Sequence, residues 1–178
     1  GPSYQVYRFD PDDNQGKFIT SPKSDVDQQE LDQAKFYGGV TALLEFDKRD
    51  NARKPTRGFY YRQEVKHFQG ISQYANDYTS VNAELRLFWS FKYLSKLVWA
   101  NRVGGGKNLG TYEYFQGQIL GGMDNLRGFR RYRYNGDAMF YNNLEFRLQL
   151  FNFNNPILPA TIGMIGFHDI GRVWVKGE

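Results

Sequence analysis

The sequence predicts an all-β chain, an antiparallel up-and-down meander of about seven strands. Three observations predict it. Apolar and polar residues alternate at period two along most of the chain, and amphipathic helical spacing is hard to find. Aromatic residues make up 17% of the chain and 19 residues are glycine, a mix that favours strands and turns over helices. The connections are alternately long and short, as in a meander whose hairpins close at one end and loop out at the other.

The expected strands are residues 3–9, 36–46, 58–68, 79–90, 97–117, 138–152 and 161–174. After the first comes a long, polar, acidic segment, 10–35. In 36–46 one face is apolar: Val40, Ala42, Leu44 and Phe46. The link "DKRDNARKPT" leads to 58–68, where Tyr60, Arg62, Glu64 and Lys66 share a face. Its opposite face is less regular, with Phe59, Tyr61 and Val65 joined by Gln63 and His67. A loop near 69–78 precedes the cleanest strand. There Val81, Ala83, Leu85, Leu87 and Trp89 oppose Ser80, Asn82, Glu84 and Arg86. The short link "FKYLSK" joins it to 97–117, and a long loop, 118–137, follows. In 138–152, Leu144, Phe146, Leu148 and Leu150 oppose Asn143, Glu145, Arg147 and Gln149. The link "NFNNPILP" leads to the last strand.

Two architectures fit alternation alone: a portion of a transmembrane β-barrel, or a soluble β-sandwich or lipocalin-like barrel. The polar faces favour the first. They carry large charges of mixed sign, Arg62, Glu64, Lys66, Glu84, Arg86, Glu145 and Arg147, which suit a wet lumen. A Lys or Arg turned to lipid at mid-depth would cost about 2–4 kcal/mol, and no clean strand places one there. The mean hydropathy of −0.65 and the absence of an eighteen-residue apolar run exclude a transmembrane helix. They do not exclude a barrel, since half of each strand is polar. Trp89, Trp99 and Trp174 are read either as membrane-interface anchors or as packing residues.

Other chemistry is thin. There is no cysteine, so no disulfide or thiolate metal site is available, and no cofactor is expected. His67 and His168 are too few and too far apart to suggest a metal site. No nucleophile–base pair stands out. The net charge of +4 does not by itself imply a polyanion partner. One stretch does concentrate charge: "LGGMDNLRGFRRYRYNGD", residues 120–137, with four arginines from Arg127 to Arg133. Such a basic, aromatic-rich stretch can bind single-stranded nucleic acid. The acidic segment 10–35 and the barrel alternation argue against it, so nucleic acid is not expected as a partner. Its glycines are not followed by Gly-Lys-Ser/Thr or a helix pattern, which argues against a phosphate loop. Arg130, Arg131 and Arg133 read as solvated loop charges.

"LGGMDNLRGFR", followed by "NGDAMFYNNLEFRLQL" and then "IGFHDIGRVW", resembles the BamA-like family, the surface-antigen barrels of outer-membrane assembly factors and translocators. Upstream, "FDKRDNARKPTRGFYYRQEVKHFQG" is similar to a strand–turn–strand of that family, so the resemblance runs from about residue 36 to 175. It implies a larger barrel of about sixteen strands, of which residues 1–178 are a partial, internal to C-terminal portion. It also implies that loop 118–137 folds back into the lumen. The tip would be Arg127, Gly128 and Phe129, and its carboxylate partners Glu145 and Asp169. Glu145 already lies on a polar face by alternation; parity does not place Asp169.

The chemistry of such a clamp is simple. A guanidinium is permanently charged and donates in a fixed fork, which suits two carboxylate oxygens. Gly128 is expected to allow a tight backbone or close approach, Phe129 to pack on lumen aromatics, and Gly121 and Gly122 to free the loop for re-entry. The clamp is read as structural, with no bond chemistry.

What the resemblance implies for function is a non-enzymatic barrel of the bacterial outer membrane that inserts or exports proteins. Its expected partners are membrane lipid, client outer-membrane or exported proteins, and accessory outer-membrane or periplasmic subunits. Clients would add strands at the barrel seam by β-augmentation. Counting strands from an extracellular loop 118–137 puts segment 10–35 outside as well and "DKRDNARKPT" in the periplasm. Two alternatives are a barrel that anchors or translocates a fused or partner enzyme domain, and a soluble β-domain that binds a partner.

Overall fold

The computed structural model describes residues 1–8, 34–91, 97–153 and 160–175. The strands are β1 (Pro2–Tyr7), β2 (Lys35–Asp47), β3 (Gly58–Gly70), β4 (Tyr78–Phe91), β5 (Leu97–Gly110), β6 (Gln118–Leu120), β7 (Tyr134–Gly136), β8 (Ala138–Phe153) and β9 (Ala160–Trp174). Seven of them form one sheet in the order β1-β2-β3-β4-β5-β8-β9, and β6 and β7 form a separate two-stranded ribbon. Every pairing in the sheet is antiparallel. This is the predicted meander. Most of the acidic segment 10–35, and the links 92–96 and 154–159, lie outside the described residues.

The register fixes which residues share a face, because directly paired residues point the same way. Tyr60–Arg86–Arg102–Asn143–Asp169 is one such row, read from β3 to β9. Glu64–Asn82–Gly106–Met139–Val173 is another on the same face. The opposite face carries Val40, Leu44, Phe46, Trp89, Phe146 and Met164, all 45–61% exposed. The ribbon β6–β7 packs instead on the polar face, where Leu120 and Leu126 bury against Tyr141 with Met139 and Val173 alongside. No described element covers the apolar face, so the arrangement is not a sandwich.

A second buried cluster, Tyr37, Phe68 and Tyr78, sits on the loop-bearing face at the far end of β2, β3 and β4. Fully burying such a side chain contributes about 1.5–3 kcal/mol. Glycines make room on this face as well. A side chain at Gly104 would strike the Tyr141 ring, and one at Gly106 would strike Asn82 and Gln118.

Three expectations need correction. The predicted strand 97–117 ends at Gly110, whose φ of +96° turns the chain out of the sheet. A 3-10 turn at Tyr114–Gln116 follows, and β6 starts only at Gln118. Alternation could not see this break, since Leu109, Tyr112, Tyr114 and Phe115 keep the stretch strand-like in composition. Second, loop 118–137 is not all irregular, because its two ends pair as β6 and β7. Third, a bulge between Gln149 and Phe151 re-phases the end of β8, so the register pairs Phe151, not Leu150, with a β9 residue, Ile162.

The register also places charged residues that alternation left open. Lys107 is on the apolar face, three residues from the end of β5. Arg172 is on that face too, close to the end of β9, with its guanidinium 5.4 Å from the Trp174 ring.

Candidate functional site

The loop between β6 and β7 folds onto the polar face of the sheet. Its entry depends on Gly121 and Gly122, which hold φ of +126° and +92°. L side chains avoid that region by roughly 1–2 kcal/mol, so glycine is the residue that turns here without strain. Asn125 then ties the turn together. Its Oδ1 accepts from the Gly121 amide at 2.8 Å, and its Nδ2 donates to the Ile119 carbonyl at 2.9 Å. Backbone bonds from Leu126 to the Gly122 carbonyl and from Gly122 to the Phe129 carbonyl, both 3.1 Å, close it. The result delivers Leu126 into the apolar cluster and Arg127 beside it onto β8 and β9.

Arg127 meets both predicted carboxylates. Its Nε donates to Asp169 Oδ2 at 2.7 Å, its Nη2 to Asp169 Oδ1 at 2.6 Å, and its Nη1 to Glu145 Oε1. The Arg127 backbone amide adds a bond to Asp169 Oδ2 at 3.1 Å. The guanidinium lies 4.3 Å from the Phe167 ring centre. Asp169 pairs with Asn143 and Glu145 with Phe167, so the two acids are diagonal neighbours across β8 and β9. At about 7–8 Å, such a diagonal is one that a single guanidinium fork can bridge. The Asp169 side chain is 6% exposed, and those of Arg127 and Glu145 about one fifth. Arg147 holds the other oxygen of Glu145 at 2.7 Å, so both acids are fully engaged.

Register thus puts Asp169 on the same face as Glu145, which alternation could not do because Ile165 and Phe167 precede it there. Two other tip residues depart from expectation. A side chain at Gly128 would meet nothing within 4 Å, and its φ is not left-handed, so no close approach among the described residues requires glycine there. Phe129 packs edge-on against Tyr134 of its own loop, ring centres 5.5 Å apart, and not on an aromatic of the sheet. The cause is the β6–β7 ribbon, which folds the loop onto itself and brings Tyr134 within reach first. Arg131 and Arg133 lie over Tyr132 and Tyr134, at 4.9 and 5.9 Å.

Sequence reading missed a second polar cluster beside this one. Arg86 and Arg102 are directly opposed on β4 and β5, an arrangement that repels unless an acid lies between them. Glu84 supplies it, accepting from Arg86 Nε at 2.5 Å, Arg102 Nε at 2.7 Å and the Tyr141 hydroxyl at 2.6 Å. The signal was present in Glu84 and Arg86, but Arg102 sat in a stretch with no clean alternation. On the far side, Asn143 Nδ2 donates to the Asn125 carbonyl at 2.9 Å, a second contact between sheet and loop. Among the described residues no cluster of His, Cys, Asp and Glu could hold a metal ion.

The arrangement does no bond chemistry: its acids are saturated by arginines. What it can do is hold a loop. No curated protein matches the chain. A family model described as the Omp85 superfamily domain matches residues 3–178. The chain therefore belongs to the Omp85 superfamily: its described residues form a seven-stranded sheet of a non-enzymatic β-barrel of the bacterial outer membrane, one that serves protein assembly or translocation.

Proposed function

We propose that loop 118–137 is a plug tethered inside the lumen, and that Arg127, Asp169 and Glu145 are its tether. One observation carries this: Arg127 spends its amide and all three guanidinium nitrogens on two acids of adjacent strands. The tether fixes the loop against β8 and β9 and fixes those strands against each other. Gly121 and Gly122 are the hinge by which the loop enters. The polar face is the wall of a wet lumen, and the exposed apolar face meets acyl chains. Residues 1–178 act as one portion of the barrel, with segment 10–35 and loop 118–137 on the extracellular side and the turn at 48–57 in the periplasm. The clients are outer-membrane or exported proteins, taken at a barrel seam by strand addition. Accessory subunits dock elsewhere on the particle.

The test is assembly of a client barrel by the full-length protein reconstituted in liposomes. Arg127→Gln is expected to slow client folding several-fold while the barrel itself remains folded and heat-modifiable on gels. Unchanged client folding with Arg127→Gln would sink the tether as a functional element.

A further inference from the structure

We infer that Arg102 is a second, independent latch on the same loop, working from the sheet side. The inference rests on the plug reading above for its consequence, but its geometry stands alone. Arg102, on β5, uses Nε and Nη2 on Glu84 of β4 and turns Nη1 to the backbone carbonyl of Asp124, three residues before Arg127. Tyr141 of β8 completes the support. Its hydroxyl donates to Glu84 at 2.6 Å and its ring lies 5.0 Å from the Arg102 guanidinium. Arg86 occupies the remaining Glu84 oxygen at 2.5 Å. Three strands therefore hold one guanidinium in a fixed plane, with one nitrogen free to reach the loop.

The two arginines work in opposite directions. Arg127 is a loop side chain that grips acids of β8 and β9. Arg102 is a strand side chain that grips the loop backbone. Between them Asn143 takes the Asn125 carbonyl, so residues 124, 125 and 127 are held in turn by β5, by β8, and by β8 with β9. Because Arg102 takes a carbonyl, the side chain at position 124 is not part of the latch. Because a lysine ammonium is a single compact charge without a fork, it can balance Glu84 but not also hold the carbonyl in this plane. Arg102 is thus a positioning residue, and its role separates cleanly from charge balance.

The experiment measures loop position directly. Spin labels on Met123→Cys in the loop and Val40→Cys on β2 report an inter-label distance distribution in the full-length protein, on a background without other cysteines. Arg102→Lys is expected to broaden that distribution, Arg127→Gln to broaden it separately, and the pair together to release the loop more than either alone. Asp124→Ala should leave the distribution unchanged. If Arg102→Lys disturbs folding, Arg102→Met with Glu84→Gln removes both charges at once and should still broaden the distribution. A wild-type distribution for the Arg102 variants alone, with a double variant no broader than Arg127→Gln by itself, would overturn the latch. Broadening with full client assembly would uphold the latch and sink the plug reading instead.

Discussion

Arg127 holds Asp169 twice, once through its backbone amide at 3.1 Å and once through the guanidinium fork at 2.6 and 2.7 Å. Replacing the side chain removes the fork but not the amide. A charge reversal does more, because the amide then brings a carboxylate against two others.

Arg127→Glu is therefore expected to destabilise the barrel more than Arg127→Gln, by up to about 3 kcal/mol. Fully buried broken pairs lose about 3–5 kcal/mol, and this one is partly wet. Adding Asp169→Arg should restore part of the loss. Thermal unfolding in detergent for both single changes and the double one decides it, and purely additive losses would mean that the two do not interact.

Glycine substitutions should separate the hinge from the tip. Gly121→Ala and Gly122→Ala force an L side chain into a left-handed conformation and are each expected to cost about 1–2 kcal/mol. Gly128→Ala meets open space and should stay within about 0.5 kcal/mol of the parent. Chemical denaturation of the three variants under one condition makes the comparison.

Parity predicts opposite outcomes for two leucine-like positions. Phe146→Arg places a charge on the apolar face at the middle of β8 and should cost about 2–4 kcal/mol in lipid. Leu43→Arg, opposite Glu64 on the polar face, should be tolerated. Folding yield into vesicles reads the difference; equal tolerance would sink the assignment of faces, and the reverse order would invert it.

The turn at 48–57 carries a pH dependence outside the membrane. Asp50 accepts from the Thr56 hydroxyl at 2.5 Å, the Thr56 amide at 2.9 Å and the Arg57 amide at 3.1 Å. These bonds, the Thr56 hydroxyl first, hold its carboxyl at about 2, below the ordinary 3.8. A depressed acid stabilises the fold above its unfolded value and loses that contribution as pH falls. The order of this turn should be complete above about pH 4 and fade toward pH 2. Amide exchange at Thr56 and Arg57 would follow it, and Asp50→Asn should flatten the dependence.

Alternation made the sheet legible where each face was pure, as in β4 and most of β8. It failed where strands carry glycines or mixed faces. β5 holds Gly104, Gly105 and Gly106 in a row, which hide both its parity and the place of Arg102 on the polar face. In β9, Ile165 and Phe167 share a face with Asp169 and His168 stands opposite, so only pairing with β8 could orient the acid. The meeting of Arg127 with Glu145 and Asp169 was legible through resemblance to a known motif. Glu84, Arg102 and Tyr141 were not, since their meeting depends on register across three strands that no local pattern encodes.

Gly104 has a consequence beyond its own strand. A methyl group there would push the Tyr141 ring aside, and with it the hydroxyl that steadies Glu84. The damage would then pass to Arg102 and out to the backbone it holds at Asp124, although none of the three had been altered. A scan of single substitutions should therefore find this bare patch of wall as intolerant as the charged residues it serves.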